Sequence, residues 1–508
     1  MKPVRYRNRL CFLAKFLSYS VLIRSVVLAM VLVFFLPKHA CGNNNIFGVN
    51  VASPDETKLD AIAAAVNGNG GSWGYITVVI QETDRDTARW NNYFSALRER
   101  KLIPVVRLAT RAEGANWRRP AKEDSGSWVS FLQSLNWVTR ERYVILFNEP
   151  NNAREWGGAV NPEDYGAVAR EFATQLNAAS PDYVVMLAGF DSAAPTQGTS
   201  YLDQVQFLER MFATFPQQEI QTNIKGWASH SYPNPGFRGK PNDTGRNSIR
   251  NYQWELQWLA GRGITGKPVF ITETGWPVTS YDEQTIATYL EQAYREVWFR
   301  DSRVKAVTPF LFSYQTAPFD VWAWERPGGG VRPVYDRIKA LPKIAGTPVL
   351  ADGSQDAIDP VVYRFWSDEK RGHFFTISPG ERDWVIQTFA TSTWRFEGSG
   401  FSALATQQAG SIPVYRFWSN TQQGHFYTAN AGEKVYIEKT FPSSVWRYET
   451  VAFYVFPPGT PDTRPVYRFW SPLYRKHFYT ANEGEKQYIE SNFPASVWSY
   501  EQIAWYVR

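Results

Sequence analysis

Residues 143–152 read YVILFNEPNN, an apolar run from Tyr143 to Phe147 that passes straight into an amide, a carboxylate and a proline. Proline cannot continue a ladder and asparagine favours turns, so a strand that starts here also stops here. Taken alone, Glu149 would be a solvated loop residue. Its meaning changes if the strand belongs to a set whose C-terminal ends meet on one rim.

Working outward, short β-branched or aromatic runs alternate with amphipathic segments from Ile46 to about Lys343. The strand candidates are Ile46–Val51, Tyr75–Ile80, Ile103–Leu108, Tyr143–Phe147, Tyr183–Leu187, Ile224–Ser229, Pro268–Thr272 and Ala306–Phe312. Between them, Lys58–Val66, Asp86–Arg100, Ser127–Trp137, Pro162–Ala179, Tyr201–Phe215, Ser248–Arg262 and Glu283–Phe299 carry apolar residues at helical spacing, and Tyr335–Leu341 supplies a short last helix. Eight strand–helix units in about 300 residues predict an α/β fold of the (β/α)8 TIM-barrel type. An open doubly wound sheet is the alternative, but no Gly-rich phosphate loop follows the first strand.

The first 42 residues hold seven basic residues and no acid, followed by the 11-residue apolar run Val26–Leu36. That run is too short for a bilayer core, which needs about 20 residues. Together with Ala40-Cys41-Gly42 it predicts a signal peptide and a secreted protein, the alternative being an uncleaved N-terminal anchor from Leu10 to Leu36. The net charge of +6 resides in this leader, so the remaining chain offers no electrostatic case for nucleic acid. Both cysteines, Cys11 and Cys41, lie there too, which leaves residues 43–508 without a disulfide, a thiolate metal site or a thiol nucleophile.

Residues 344–360 are rich in Pro, Gly, Ala and Asp without periodicity and read as a linker. Beyond it VYRFWSDEKRGHFFT, VYRFWSNTQQGHFYT and VYRFWSPLYRKHFYT begin at Val362, Val414 and Val466, a spacing of 52 residues that His373, His425 and His477 also keep. Three copies of a mostly β unit over 361–508 predict a closed pseudo-threefold domain, most simply a β-trefoil. Three symmetry-related histidines raise the possibility of a metal on the axis, against which stands the ordinary role of a strand histidine as a hydrogen-bonded core residue. Trp366, Trp418 and Trp470 are expected in the core. Because no motif supplies a ligand set, no metal and no cofactor are expected.

In a barrel, catalytic groups sit at strand C-termini. Strand four ends in Asn148-Glu149, strand six in His230-Ser231-Tyr232, and strand seven in FITETGWP, Phe270 to Pro277, with Glu273 at its tip and Trp276 beside it. Two carboxylates at an aromatic-lined mouth suit glycoside cleavage, one protonated to donate to the leaving oxygen and one ionised to attack the anomeric carbon. Taken singly, either Glu reads first as a helix cap; it is their meeting on one rim with His230, Tyr232 and Trp276 that favours catalysis.

The Asn-Glu-Pro on strand four and the Glu on strand seven resemble the retaining glycoside hydrolases of clan A over about 300 residues. Within the clan, NEPNN followed by Trp is similar to families five and thirty-nine, whereas TETGWP is similar to the family-seventeen β-1,3-glucanases. The resemblance implies that Glu149 is the acid/base and Glu273 the nucleophile, that Asn148 binds the sugar 2-hydroxyl, that Tyr232 orients Glu273 and that His230 lines the same subsite. The strand-two arginine of many members is absent from YITVVIQET, and the nearest candidate is Arg107 on strand three, which could instead be an ion pair at the barrel bottom. Strand eight offers Tyr314, with Trp322 and Trp324 in the following loop, and Trp156 is either a stacking platform or loop packing. The expected protein is therefore a secreted, monomeric retaining β-glycosidase acting on a polysaccharide, its repeats contacting glycan or cell surface. A carbohydrate-binding or adhesion protein that keeps the barrel without catalysis is the rival. The repeats themselves resemble a module of secreted bacterial proteins marked by its HFYT string.

Overall fold

The computed structural model describes residues 45–353 and 361–508; the leader, both cysteines and positions 354–360 lie outside the described residues. Eight parallel strands form the first domain: β1 (Gly48–Val51), β2 (Gly74–Gln81), β3 (Leu102–Ala109), β4 (Arg142–Leu146), β5 (Tyr183–Leu187), β6 (Trp227–His230), β7 (Val269–Glu273) and β8 (Val304–Val307). β1 to β5 pair in chain order, as do β6 to β8. The two sheets join into a ring through the parallel bridge Phe47–Val307 and through the Lys225 N–H donated to Val185 O (3.0 Å). The barrel read from the alternation is thus closed. Near-continuous burial of β2, β4 and β7 is the signature of strands covered on both faces.

Among the described residues nine helices surround the strands: α1 (Leu59–Val66), α2 (Thr87–Glu99), α3 (Asp124–Gln133), α4 (Pro162–Ala179), α5 (Gln204–Met211), α6 (Gln217–Asn223), α7 (Asn251–Ala260), α8 (Glu283–Ala293) and α9 (Pro333–Ala340). Asp86, Asn161, Asp203 and Asp282 cap four of them by accepting backbone N–H groups of the first turn, which fixes where the chain leaves each loop. Two expectations shift. α6 is an additional helix where the apolar spacing predicts none, and β8 ends at Val307 because Pro309 offers no N–H for a ladder.

Residues 344–353, read as linker, are pinned to the barrel: Gly346 N–H bonds Ser72 O (3.0 Å), Arg140 N–H bonds Val349 O (2.8 Å), and Ile344 and Leu350 are buried.

Each repeat is a ββαβ unit. The first contains β9 (Val361–Ser367), β10 (Gly372–Thr376), α10 (Pro379–Thr388) and β11 (Arg395–Ser402). The second contains β12 (Ile412–Ser419), β13 (Gly424–Thr428), α11 (Ala431–Thr440) and β14 (Trp446–Val455). The third contains β15 (Arg464–Ser471), β16 (Lys476–Thr480), α12 (Glu483–Asn492) and β17 (Ser499–Val507). Every repeat makes its own three-stranded antiparallel sheet with the first strand in the middle. A ten-residue helix inside each unit and three separate sheets replace the hairpins a β-trefoil would need, so the trefoil expectation gives way while the threefold repetition stands.

The units close cyclically. Arg416 bonds Glu381 and Arg468 bonds Glu433, each repeat reaching to the one before it, and Arg364 bonds Glu485 to complete the circle. The rings follow the same rule: His425 lies against Phe374, His477 against Phe426 and His373 against Phe478, with centroids 4.6 to 5.0 Å apart. The histidines are thus held in three separate contacts, each with Nε2 3.3 to 3.4 Å from a Glu of its own repeat, and do not converge on a metal. Trp366, Trp418 and Trp470, expected in the core, are half-exposed lids over these histidines.

Tyrosine hydroxyls fasten two of the three joints. Tyr427 OH binds both the N–H (2.9 Å) and the C=O (2.8 Å) of Phe375, and Tyr479 OH binds the C=O of Tyr427 (2.6 Å). The first repeat has Phe375 at the equivalent position, so its ring brings no hydroxyl to Tyr479. Phe375→Tyr is expected to stabilise the module by about 1 kcal/mol, the net worth of a hydrogen bond, and to raise its thermal midpoint by a few degrees in calorimetry. An unchanged or lower midpoint would refute the reading of this joint.

All described residues fall in one compact unit. The first repeat sits on the barrel end formed by the helix-to-strand loops: Arg300 Nη1 donates to Phe389 O (2.9 Å), Thr391 Oγ1 donates to Glu296 (2.9 Å), and Ile344 enters the cluster of Phe365, Trp394 and Phe396. Among the described residues no helix is long and apolar enough to cross a membrane.

Candidate active site

At the opposite end, the strand tips bring together groups far apart in sequence. β6 and β7 pair so that His230 faces Glu273, with a register shift after Ser229. β4 ends in a tight turn in which Phe147 (φ 71°) and Glu149 (φ 28°) adopt left-handed backbone, a conformation that costs a non-glycine residue about 1 kcal/mol or more. The turn is held by Glu149 N–H donated to Gly189 O (3.1 Å) and Asn152 N–H donated to Glu149 O (2.9 Å). Its effect is to aim the Glu149 carboxylate inward, where Oε1 meets His230 Nδ1 at 2.7 Å.

Glu273 accepts two hydrogen bonds, one on each oxygen: Arg107 Nη1 at 2.9 Å and Tyr232 OH at 3.1 Å. Arg107 also donates to Asn148 Oδ1 at 2.5 Å. Arg107 therefore sits in the mouth, and the barrel-bottom alternative is set aside. One oxygen of Glu149, one of Glu273 and a His230 nitrogen lie within 4.8 Å of one another, the sole such trio of potential metal ligands among the described residues. The donors already aimed at both Glu273 oxygens, one of them a guanidinium, stand where a cation would have to bind. Hydrogen bonding of carboxylates describes this trio better than ligation does.

Burial pushes the Glu149 carboxyl above its usual range; His230 pulls against this and the charge of Glu273 adds to it. For His230, burial alone would lower the imidazole, but the carboxylates of Glu273 and Glu149 outweigh it and hold it above its usual value. Burial raises the Tyr232 hydroxyl far up as well, so that it stays a donor.

Other expected residues take different places. Trp276 is buried, gives its indole N–H to Gly239 O (2.8 Å) and packs on Tyr289, so it braces a loop and does not face the carboxylates. Trp156 is likewise buried, bonded to Asp164 (2.9 Å) and packed between Phe147 and Tyr165, which settles its alternative as loop packing under strand four. Tyr314 is the far end of a chain of ring contacts that starts at Tyr232 and runs through Trp322, Phe310 and Phe319, with centroids 5.4 to 6.2 Å apart. All five rings are at least partly exposed, and together they form an aromatic wall leading out from Glu273.

Two residues escaped the sequence reading. Glu155 lies within the very string that drew attention to Glu149; its carboxylate takes the Asn148 amide, and burial pushes it up to about 7, with Arg107 opposing and Glu149 adding. The other is Gly189, after β5. A Cβ there would stand 2.1 Å from His230 Cδ2 and 2.5 Å from Nε2, so only glycine leaves room for the imidazole.

Compared with known proteins, residues 361–508 match a domain family described only as a domain of unknown function, DUF5648. No curated protein matches the chain. Among solved structures, a family 39 glycoside hydrolase from Bacteroides cellulosilyticus WH2 is similar at 14% identity and a TM-score of 0.42, over 64% of this chain and 70% of that one. A GH39 β-xylosidase from Caulobacter crescentus is similar at 14% identity and 0.44, over 69% and 92%. A GH128 (subgroup II) endo-β-1,3-glucanase from Pseudomonas viridiflava is similar at 14% identity and 0.39, over 59% and 98%.

Proposed function

We propose that this chain is a glycoside hydrolase that cleaves a polysaccharide by double displacement. The supporting observation is the pair of carboxylates at the barrel mouth, with oxygens within 4.8 Å and unlike surroundings. Retention uses carboxyl groups about 5–5.5 Å apart, whereas inversion needs about 6.5–9.5 Å to admit a water. Glu149, half-buried and raised, donates its proton to the leaving glycosidic oxygen while a Glu273 oxygen attacks the anomeric carbon. Glu149 then takes a proton from water, whose oxygen displaces Glu273 and restores both groups. Tyr232 and Arg107 hold Glu273 in line, and Arg107 holds Asn148 where it can meet the neighbouring hydroxyl. The leader sequence supports export to where such polymers occur.

The test is release of reducing ends by residues 43–508 from β-1,3-, β-1,4- and β-1,6-glucans, mannans, xylans and galactans. Binding without release would favour the non-catalytic rival.

The pH profile carries a signed expectation. Activity needs Glu149 protonated, so it falls as pH rises through the raised pKa of Glu149. His230 opposes that rise, so His230→Gln moves the alkaline limb of kcat/KM to higher pH, whatever it does to the plateau. A limb that stays put or moves down would assign it to another group, Glu155 foremost.

A further inference from the structure

The three repeat helices retain the pattern Gly-Glu-(Arg/Lys)-x-(Trp/Tyr)-(Val/Ile)-x-x-x-Phe at 52-residue spacing. Nearly every retained residue has a role inside the module. Glu381, Glu433 and Glu485 bind the arginine of the adjoining repeat. Arg382, Lys434 and Lys486 lie over the rings of Tyr363, Tyr415 and Tyr467, 4.5 to 5.5 Å from the centroids. Val385 and Ile489 are buried, and Ile437 is half-buried.

The aromatic is the exception. Trp384, Tyr436 and Tyr488 are 56%, 61% and 59% exposed, so core packing cannot account for a large ring kept three times. Each is met edge-on by the Phe that ends its helix, Phe389, Phe441 or Phe493, at 5.2 to 6.3 Å and 74° to 87°. That contact props the ring at a fixed attitude while leaving a face to solvent.

We infer that Trp384, Tyr436 and Tyr488 are equivalent sugar-stacking sites of a trivalent module for a neutral, repetitive polysaccharide. A flat exposed ring offers a pyranose an apolar face, and three copies suit a polymer that presents one unit many times. Charge argues against an anionic lipid surface: α10 and α12 carry more acids than bases and α11 equal numbers. The choice of glycan as the polymer rests in part on the reading of the barrel; the equivalence of the three rings does not.

The test uses residues 43–508 carrying Glu273→Gln, so that probes are not consumed, in native gels containing soluble β-1,3-glucan, xylan, galactomannan or galactan. Retardation by at least one polymer is expected, with each single change, Trp384→Ala, Tyr436→Ala or Tyr488→Ala, weakening it several-fold and the triple change abolishing it. The rings are exposed, and an unaltered thermal midpoint checks that the triple variant stays folded. Retardation by none of the four polymers, retardation that survives the triple change, binding to phosphatidylserine vesicles that the triple change removes, or self-association by light scattering that it removes would each overturn the inference. In a chain with native Glu273, hydrolysis of a short soluble oligosaccharide should be indifferent to the triple change, which separates failure of this reading from failure of the barrel's.

Discussion

Glu273→Gln is expected to give a folded chain whose glycan cleavage is slower by about 10⁴-fold or more, the scale on which losing a covalent nucleophile is felt. The substitution keeps the side-chain shape, and the amide oxygen can still accept from Arg107. Stability should therefore hardly move, and the loss should lie in kcat. Glu149→Gln makes a useful contrast. General acid catalysis contributes about 10² to 10⁴-fold and matters least when the leaving group departs unaided, so this variant should keep substantial activity on an aryl glycoside with an acidic phenol. If Glu273→Gln retained near-native turnover, double displacement through this residue would be wrong.

The second large effect concerns a residue without a side chain. Gly189→Ala puts a methyl carbon into the His230 ring, at 2.1 Å from Cδ2, and no rotamer of alanine avoids it. Either the imidazole moves and its 2.7 Å contact with Glu149 breaks, or the β5 end backs away and takes with it the carbonyl that anchors the Glu149 N–H. Overpacking of this kind costs about 1–3 kcal/mol, and a misplaced catalytic group about 10²-fold in rate. Pairing Gly189→Ala with His230→Ser should recover the thermal midpoint but not the activity. Recovery of neither would place the strain elsewhere.

Much of this architecture was legible because it depends on local patterns. Apolar runs marked all eight strands, and strand ends marked Glu149, Glu273, His230 and Tyr232 as neighbours, since a barrel converts strand order into proximity. What resisted reading depends on contacts between loops. Trp276 and Trp156 follow strands just as a platform residue would, yet their loops fold them inward onto Gly239 and Asp164, a choice that no spacing encodes. Trp322, noted only as a loop residue, is the ring that reaches Tyr232. Gly189 carries no local signal either: its φ is not left-handed, and its necessity appears only when β5 and β6 are side by side. In the repeats, the 52-residue period was plain, but a mostly β reading did not reveal that each copy spends ten residues on a helix and builds a sheet of its own.

The uneven fastening of the repeat ring gives the module a direction of opening. Chain connectivity and a tyrosine hydroxyl both bridge the first joint and the second; the joint between the third repeat and the first has neither, and relies on Arg364 with Glu485 and on ring packing. The first repeat is also the one seated on the barrel. Breathing of the circle should therefore swing the third repeat outward like the loose end of a clasp. Two copies opened in this way could each accept the other's third repeat, so the same weak joint is a built-in route to exchange between molecules at high concentration.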